Sequence, residues 1–295
     1  MNHGPDSAAA GDASLTAAAA APSRVQASAG PLHGKHAFVT GGGRGIGSAI
    51  AFALLLQGAR VTLAGRTASV LEQTAHELSS ELGPALAGGT VASVDYVTVD
   101  VTSRESVDQA MAEAARRHGR IDILVNNAGQ AASAPFGKTG SDIWRQMMAV
   151  NLDGSYHCIQ AALPGMLAAG WGRIVNVAST AGLTGCAYVS AYCAAKHGVI
   201  GLTRALALEL ATKGITVNAV CPGYTETDIV KDAVANIMAK TGRSEEQARA
   251  ELAAGNPQKQ LVQPEQVADA VAWLCQPGAS AMTGQSLAVA GGEIM

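Results

Sequence analysis

Short apolar runs alternate with longer amphipathic stretches along most of the chain, beginning at Lys35. Seven runs resemble buried strands: AFVT (37–40), ARVTLAG (59–65), VDYVTVD (94–100), IDILVNNAG (121–129), RIVNVAS (173–179), ITVNAVCPG (215–223) and SLAVAGG (286–292). Helical patterns lie near 46–57, 67–82, 103–118, 141–169, 191–212 and 264–276. This alternation predicts an α/β fold, a doubly wound parallel sheet of seven strands in a single domain. Ligands of such sheets bind at the carboxyl ends of the strands.

The first 33 residues differ from the rest, because they are rich in Ala, Ser, Gly and Pro and contain few large apolar side chains. Such a segment cannot bury enough surface to offset the entropy lost on ordering. We therefore expect a disordered, Ala-rich extension over 1–33 and a folded domain over 34–295. A targeting role for the extension is the alternative, although Asp6, Asp12 and a lone Arg24 fit neither a transit peptide nor a secretory signal.

The composition, with 48% hydrophobic and 15% charged residues, is typical of a globular α/β protein. A formal net charge of -3 provides no basic field for phosphate backbones, so we expect no nucleic-acid partner. No uncharged apolar run approaches the roughly 18 residues that a membrane span needs, so we expect no membrane association. These features together predict a cytoplasmic protein.

The cysteines and histidines do not form a metal-binding pattern. The five cysteines lack CxxC spacing, which argues against a disulfide framework and a zinc site, so we expect reduced thiols. His157 and His197 have no metal-ligand neighbours at suitable spacing. We therefore expect no metal.

A glycine-rich turn, TGGGRGIG (40–47), connects the first strand to an apolar helix. Missing side chains let the backbone approach a pyrophosphate, and the helix start attracts its charge. Gly41, Gly45 and Gly47 have the spacing GxxxGxG, which differs from the usual GxGxxG fingerprint of the Rossmann-like folds. A tight turn without a ligand is the alternative. The position of the glycine turn directly after the first strand favours a dinucleotide as its ligand.

The second strand indicates which dinucleotide binds. An acid about 20 residues after the glycines would grip the ribose 2'-hydroxyl of NAD. Here Ala64 or Gly65 occupies that place, followed by Arg66, and Arg44 lies in the glycine turn. Two guanidinium groups suit a 2'-phosphate, which favours NADP over NAD, unless both arginines are solvated surface charges.

The stretch YVSAYCAAKHG (188–198) contains one YxxxK pair. Residues four apart share a helix face, so Tyr192 and Lys196 can present their polar ends to the same space. A nearby ammonium, and an oxidised nicotinamide, would favour the phenolate form of Tyr192. Tyr188 has no such partner, and we expect it in the preceding loop, lining a pocket. An isolated match is often an ordinary amphipathic helix, but Ser179 at a strand end offers a hydroxyl to a substrate oxygen.

Several motifs in this order resemble the short-chain dehydrogenase/reductase family over Lys35 to Gly292. TGGGRGIG is similar to its cofactor turn, NNAG (126–129) to its fourth-strand signature and NLDG (151–154) to the segment with a catalytic asparagine. PGYTET (222–227) resembles the loop that contacts the nicotinamide. Taken singly, each motif is more often structural.

The resemblance implies roles for individual residues. Tyr192 would be the acid/base, Ser179 would orient the carbonyl or hydroxyl, Lys196 would hold the ribose and lower the phenol pKa, and Asn151 would anchor a water. Asp100 and Val101 would meet the adenine, and Thr227 would bond the carboxamide. The residues expected to contact the cofactor are Gly41, Arg44, Gly45, Ile46, Gly47, Arg66, Asp100, Val101, Asn127, Ala128, Gly129, Tyr192, Lys196, Pro222, Gly223 and Thr227.

Residues 227–262 have helical character and no strand, and they follow the nicotinamide loop directly. We expect this segment to form a lid that excludes water from the substrate. Its apolar residues, Ile229, Val230, Val234, Ile237 and Met238, fit either an aliphatic substrate or ordinary core contacts. Its basic residues, Lys231, Lys240, Arg243 and Arg249, could meet the phosphates of an acyl carrier.

The function implied is an NADP-dependent oxidoreductase that interconverts a ketone and a secondary alcohol on a small-molecule substrate. The pattern is similar to the 3-oxoacyl reductase and 3-hydroxyacyl dehydrogenase branch, which implies an acyl thioester. Other secondary-alcohol, polyketide and hydroxysteroid dehydrogenases share the motifs, and a non-catalytic dinucleotide sensor is the alternative from another class. The resemblance also implies a homotetramer in which helices near 103–118 and 141–169 pair across one interface and the C-terminal strand lies near another.

Overall fold

A computed structural model describes residues 30–85 and 92–294 of the chain. Within these residues, one sheet of seven strands has the order β3-β2-β1-β4-β5-β6-β7, and every neighbouring pair is parallel. The predicted doubly wound sheet is confirmed. The strands are β1 (His36–Thr40), β2 (Arg60–Gly65), β3 (Val94–Thr98), β4 (Ile123–Asn126), β5 (Gly172–Val177), β6 (Ile215–Pro222) and β7 (Ser286–Val289).

Helices cover both faces of this sheet. The helices of the described residues are α1 (Gly45–Leu56), α2 (Ala68–Ala85), α3 (Arg104–His118), α4 (Ser141–Met148), α5 (Gly154–Ala169), α6 (Ser190–Leu210), α7 (Asp228–Thr241), α8 (Glu245–Ala253) and α9 (Pro264–Cys275), of which α7 and α8 pack on each other. Leu54 of α1 and Val271 of α9 belong to one core, while Met111 of α3 and Ile159 of α5 belong to the other. Because both faces are covered, β1, β4, β5 and β6 are buried along their whole length.

The strand order reverses between β1 and β4, so their carboxyl ends diverge into helices on opposite sides. This is the point at which open α/β sheets bind ligands. The glycine turn follows β1 and NNAG closes β4, so the two motifs face each other across this crevice.

The folded domain begins earlier than its sequence suggested. Residues 1–29 of the predicted disordered extension lie outside the described residues, but residues 30–33 are packed on the domain. Leu32 is completely buried, and its N–H donates to the carbonyl of Gln57 at 2.9 Å. Leu32 is the large apolar side chain of this short segment, and its burial in the core explains the shifted boundary.

The helix predicted over 141–169 is instead interrupted. A π-helical turn, Ala149–Asp153, separates α4 from α5. Asn151 lies in this turn, is 1% exposed, and donates from Nδ2 to the carbonyl of Met147 at 3.0 Å. The wider turn shifts the register of the helix, and such turns are frequent at functional sites.

The cysteines are free thiols, four buried and Cys186 exposed. Among residues 30–85 and 92–294, no helix has the length and apolarity that a bilayer span requires.

Candidate active site

The glycine turn after β1 adopts a shape that side chains would prevent. Gly41 and Gly45 have positive φ angles of 64° and 54°, which L-residues with side chains rarely adopt. A Cβ on Gly47 would lie 2.1 Å from the carbonyl oxygen of Gly41. The turn is therefore a tight cradle of bare backbone at the start of α1, where the first N–H groups have no partners within the helix. This geometry fits the pyrophosphate of a dinucleotide.

Thr40 and Asn127 hold this cradle against the end of β4. The Thr40 hydroxyl donates to the carbonyl of Val125 at 3.3 Å and accepts from the N–H groups of Asn127 and Ala128, each at 3.0 Å. The amide of Asn127 donates to the carbonyls of Thr40 at 3.0 Å and Gly41 at 3.2 Å. The predicted cofactor residues Asn127 and Ala128 are thereby brought to the glycine turn.

Tyr192 and Lys196 lie one turn apart on α6 and approach the carboxyl end of β5. Lys196 Nζ donates to the carbonyl of Val177 at 2.9 Å and lies 5.6 Å from the ring centroid of Tyr192. Ser179, two residues after β5, has an extended backbone, and its hydroxyl accepts from the N–H of Ala181 at 3.1 Å. The Ser179 hydroxyl also influences the pKa of the Tyr192 phenol, so these two groups are neighbours. The structure thus brings Ser179, Tyr192 and Lys196 together.

Asn151 and Gly129 complete this group. Asn151 Oδ1 accepts from the N–H of Gln130 at 3.2 Å, and its Nδ2 donates to the Gln130 carbonyl at 2.9 Å. A Cβ on Gly129 would lie 2.9 Å from Asn151 Oδ1 and 3.6 Å from Lys196 Nζ. The backbone of Gly129, which has no side chain, therefore lies between Asn151 and Lys196. The role of Asn151 in anchoring a water stays a prediction.

Burial affects the two titratable groups in opposite directions. It raises the pKa of the Tyr192 phenol, against a smaller lowering by the Ser179 hydroxyl. It lowers the pKa of Lys196, which is 4% exposed, to about 8. Both shifts follow from the cost of burying the charged form. Burial is the largest influence on the pKa of the Tyr192 phenol, and a lowering of that pKa by Lys196 stays a prediction.

Arg44 and Arg66 follow β1 and β2 respectively. Both are exposed, and Arg44 Nη1 lies 3.4 Å from Asp228 Oδ2 of α7. The preceding Gly43 accepts at its carbonyl from the Thr74 hydroxyl of α2 at 2.7 Å, which holds the turn against that helix. Arg66 begins the connection from β2 to α2. Both guanidinium groups are open to solvent, and Arg44 already pairs with a carboxylate.

Asp100 and Val101 follow β3. Hydrogen bonds from the side chain and N–H of Thr102, together with the charge of Arg66, hold the pKa of Asp100 below its usual value. The Val101 side chain is buried against Gly154, where a Cβ would lie 2.8 Å from Val101 Cγ2. The Val101 carbonyl lies 3.0 Å from His157 Nδ1, which gives this histidine a packing role. Only the backbone of Val101 is left to contact an adenine.

The loop after β6 borders the crevice on the side opposite β2 and β3. Gly223 N–H donates to the carbonyl of Val289 at 3.1 Å, so Pro222 and Gly223 are fixed by β7. Thr227 begins α7, and its methyl group would lie 3.2 Å from a Cβ on Gly45. Ile46 of α1 is partly buried and packs against the core that contains Leu54. The predicted nicotinamide loop therefore contacts the glycine turn directly.

Two residues that hold the site were missed from the sequence. Thr40 is the first residue of the glycine motif, and Gln130 follows NNAG directly. Both act through hydrogen bonds to residues far along the chain, Asn127 and Asn151. Their position beside two motifs was the only available signal.

Fold and site together define a class of protein. A backbone cradle at the switch point of a parallel sheet fits a dinucleotide, and a hydroxyl, a phenol and an amine meet beside it, where a carbonyl could receive a hydride and a proton. This arrangement is that of a dinucleotide-dependent oxidoreductase. The model of the short chain dehydrogenase family matches residues 35–237, and the chain belongs to that family.

Relatives agree with this assignment. The chain is 39% identical over 259 residues to a D-beta-hydroxybutyrate dehydrogenase of Rhizobium meliloti, covering 88% of this chain and 98% of the relative. It is 38% identical over 264 residues to a 3-oxoacyl-(acyl-carrier-protein) reductase of Vibrio cholerae, covering 90% and 99%. A crystal structure of an actinorhodin polyketide ketoreductase variant with NADPH superposes with a TM-score of 0.82 at 38% identity, covering 90% of this chain and 99% of that one. The protein is an NAD(P)-dependent oxidoreductase of ketones and secondary alcohols.

We predict that Gly47→Ala weakens dinucleotide binding and destabilises the fold. The added methyl would collide with the Gly41 carbonyl, and such overpacking costs about 1–3 kcal/mol. Fluorescence titration with NADPH and denaturant unfolding measure the two effects.

Gly83→Ala is the matched control, because a Cβ there meets no atom within 4 Å apart from its chain neighbours. It lies on α2, away from the glycine turn, and should bind NADPH normally. Normal NADPH affinity in Gly47→Ala would contradict the assignment of the cradle.

Proposed function

We propose that the protein reduces the ketone of a 3-oxoacyl thioester to a secondary alcohol with NADPH. The observation that carries the proposal is the meeting of Ser179, Tyr192, Lys196 and Asn151 at the carboxyl edge of β4 and β5, beside the glycine turn. A non-catalytic sensor would have no need for this convergence of a hydroxyl, a phenol and an amine.

The proposed chemistry assigns one task to each side chain. The bound nicotinamide supplies the hydride. Ser179 donates a hydrogen bond to the substrate oxygen and stabilises its developing negative charge. Tyr192 gives its phenolic proton to that oxygen as general acid. Lys196 and Asn151 lie behind Tyr192, and Lys196 holds a proton whose pKa of about 8 lets it exchange near neutral pH.

The ionisation of Tyr192 supports reduction as the favoured direction. Burial raises the pKa of the phenol, so at neutral pH the side chain is protonated and able to donate. A base for alcohol oxidation would need the phenolate, which the buried position disfavours. An oxidised nicotinamide would add a positive charge and favour that phenolate during the reverse reaction.

The choice of NADPH rests on Arg44 and Arg66. Arg44 lies in the glycine turn after β1, and Arg66 directly follows β2, where Ala64 and Gly65 stand in place of a carboxylate that would bond a ribose hydroxyl. Binding of the phosphate would replace the exposed contact of Arg44 with Asp228. Each can form charge-assisted hydrogen bonds with a 2'-phosphate. NADPH is also the dinucleotide in the similar ketoreductase structure.

The relatives' names support the position of the carbonyl, and one of them supports the thioester. The Vibrio cholerae relative is named for a 3-oxoacyl group on an acyl carrier protein, and the Rhizobium meliloti relative is named for hydroxybutyrate, a free acid; both names place the oxygen on the third carbon of an acyl chain. We propose the same position for the carbonyl here. The predicted phosphate contacts of the basic lid residues have less support, because Lys231, Arg243 and Arg249 pair with neighbouring acids.

We also propose that residues 227–262 act as a lid. Val230 and Val234 of α7 pack with Ala248 of α8, so these helices form a small unit with its own core. Of the apolar residues predicted to face either substrate or core, Val230, Val234 and Ile237 make core contacts, Met238 is exposed, and the side chain of Ile229 lies outside the described part. Tyr224, in the loop before the segment, is 53% exposed.

A cytoplasmic homotetramer is the proposed assembly. Trp144 of α4, Tyr156 of α5 and Leu208 of α6 are 42%, 47% and 83% exposed, and such apolar surface favours association. Leu287 on the edge strand β7 is also exposed, which supports a second interface there. The outer side of α3 carries the pairs Arg104–Asp108 and Arg117–Glu113, so it supports an apolar interface less than α4 and α5 do.

We predict that Tyr192→Phe lowers kcat for 3-oxoacyl reduction about 10²–10⁴-fold, because the general acid is lost. The dissociation constant of NADPH should change little. Tyr96→Phe, the same change on β3, is the control and should retain kcat. Stopped-flow and steady-state measurements of NADPH absorbance follow both variants. A wild-type kcat in Tyr192→Phe would refute the role of Tyr192 as general acid.

We predict that Arg44→Ala and Arg66→Ala each lower kcat/KM about tenfold with NADPH and leave kcat/KM with NADH unchanged, because each loses a charge-assisted contact to the 2'-phosphate. Arg104→Ala removes an exposed arginine from α3 and is the matched control. An equal loss with both dinucleotides would argue against 2'-phosphate recognition.

For the assembly, light scattering of purified protein should give a mass of about four times 29.7 kDa, because the exposed apolar side chains of α4, α5, α6 and β7 would be covered. A mass near that of a single chain would overturn the tetramer.

A further inference from the structure

The chain turns sharply after β7 and returns towards the substrate side of the crevice. Gly291 and Gly292 have φ angles of 57° and 89°, which only glycine adopts readily. A Cβ on Gly291 would lie 2.2 Å from Asn256 Oδ1, and one on Gly292 would lie 3.4 Å from Pro257 Cγ. The segment 291–293 therefore packs against the loop that leads back from α8, and its position is set by the lid.

This turn places the carboxylate of Glu293 between two loops that border the crevice. Glu293 Oε2 lies 2.9 Å from the position that a Cβ on Gly223 would occupy, and Oε1 lies 3.9 Å from that on Gly255. Gly223 belongs to the proposed nicotinamide loop, and Gly255 belongs to the loop after α8. Glu293 is thus fixed where the nicotinamide loop meets the lid, and it is only partly exposed.

The groups that face Glu293 are neutral at physiological pH. Burial raises the pKa of Cys186, in the loop before α6, and the pKa of Tyr224, in the loop after β6; Glu293 adds to both shifts. Cys186 in turn affects the Tyr192 phenol, so one side of this cluster reaches the proposed general acid. By its contact with Gly223, Glu293 is a negative group beside the proposed nicotinamide loop.

No cation offsets this charge in the part of the chain that the structure describes. Glu293 takes part in none of the ion pairs found there. Several cations of the lid segment have other partners: Arg249 pairs with Glu226 and Glu245, Lys231 pairs with Asp228, and Lys259 Nζ donates to the carbonyl of Ala254 at 2.7 Å, next to Gly255. Burial alone raises the pKa of Glu293 above its ordinary value of 4.5.

We infer that Glu293 is a specificity-determining residue that discriminates against 3-oxo acids with a free carboxylate and so reserves the site for esters and thioesters. This inference rests on the proposed reduction of a 3-oxoacyl group. Both the free acid and the ester or thioester contain the ketone that is reduced. The free acid differs by one negative charge, a few bonds away from that ketone. In a partly buried site, like charges at such distances repel more strongly than in water.

The test compares acetoacetate with the N-acetylcysteamine thioester of acetoacetate, which carries no charge, in wild-type protein and Glu293→Gln. Wild-type kcat/KM should favour the thioester. In Glu293→Gln, kcat/KM for acetoacetate should rise about tenfold, which corresponds to about 1.4 kcal/mol, while that for the thioester stays nearly constant. Glu293→Asp should retain the discrimination, and Glu209→Gln, which removes an exposed charge at the far end of α6, is the matched control.

The pH dependence gives a second readout. As the pH falls through the raised pKa of Glu293, its carboxyl becomes neutral, so the ratio of acetoacetate to thioester kcat/KM should rise in the wild type and stay flat in Glu293→Gln. Cys186 and Tyr224 remain neutral in this range. Taking the ratio cancels pH effects on catalysis that the two substrates share.

The outcomes separate the two claims. Thioester reduction with an unchanged substrate ratio in Glu293→Gln would overturn the role of Glu293 and leave the proposed function intact. A wild-type preference for acetoacetate over the thioester would also overturn the role of Glu293 and leave the proposed function intact. Failure of folded, NADPH-binding wild-type protein to reduce either ketone would overturn the proposed function itself and the inference with it.

Discussion

The whole site depends on a polar tie between the carboxyl ends of β1 and β4. Thr40 and Asn127 exchange hydrogen bonds between backbone and side chains, and Asn127 also reaches the carbonyl of Gly41. These ends lie at the reversal of the strand order, where no helix crosses from one to the other. The tie holds the mouth of the glycine turn in a defined position, and the crevice, the phosphate cradle and the neighbouring NNAG backbone all follow from it.

Burial is the second determinant, because it sets the protonation of the site without help from ion pairs. The low-dielectric surroundings favour the neutral forms of both Tyr192 and Lys196. The phenol therefore keeps its proton, while the ammonium becomes easier to deprotonate. A proton-donating phenol backed by an amine that exchanges protons near neutral pH suits the reduction of a carbonyl.

Periodicity was sufficient to predict the parallel sheet and most of its helices, since strands buried on both faces appear as continuous apolar runs such as ITVNAVCPG. Motif order was sufficient to bring Ser179, Tyr192 and Lys196 together. Three-dimensional burial was not predictable from spacing, so the raised pKa of Tyr192 and the lowered pKa of Lys196 could not be read from the YxxxK pair. The π-helical turn at Asn151 and the packing of Leu32 depend on contacts with Gln130 and with the core, which a local pattern does not contain.

The pairing of β1 with β4 also bears on how the chain acquires its fold during synthesis. The N–H of Asn127 bonds a hydroxyl 87 residues earlier, and β7 pairs with β6 across the segment that contains α7, α8 and α9. Contacts so distant along the chain form slowly, because the intervening loop must be closed first. Glu293 and its turn follow β7 in the chain, so the crevice is completed only after that strand has been synthesised. Until then, exposed strand edges are open to aggregation, and the cofactor has no finished cradle with which to stabilise the nascent protein.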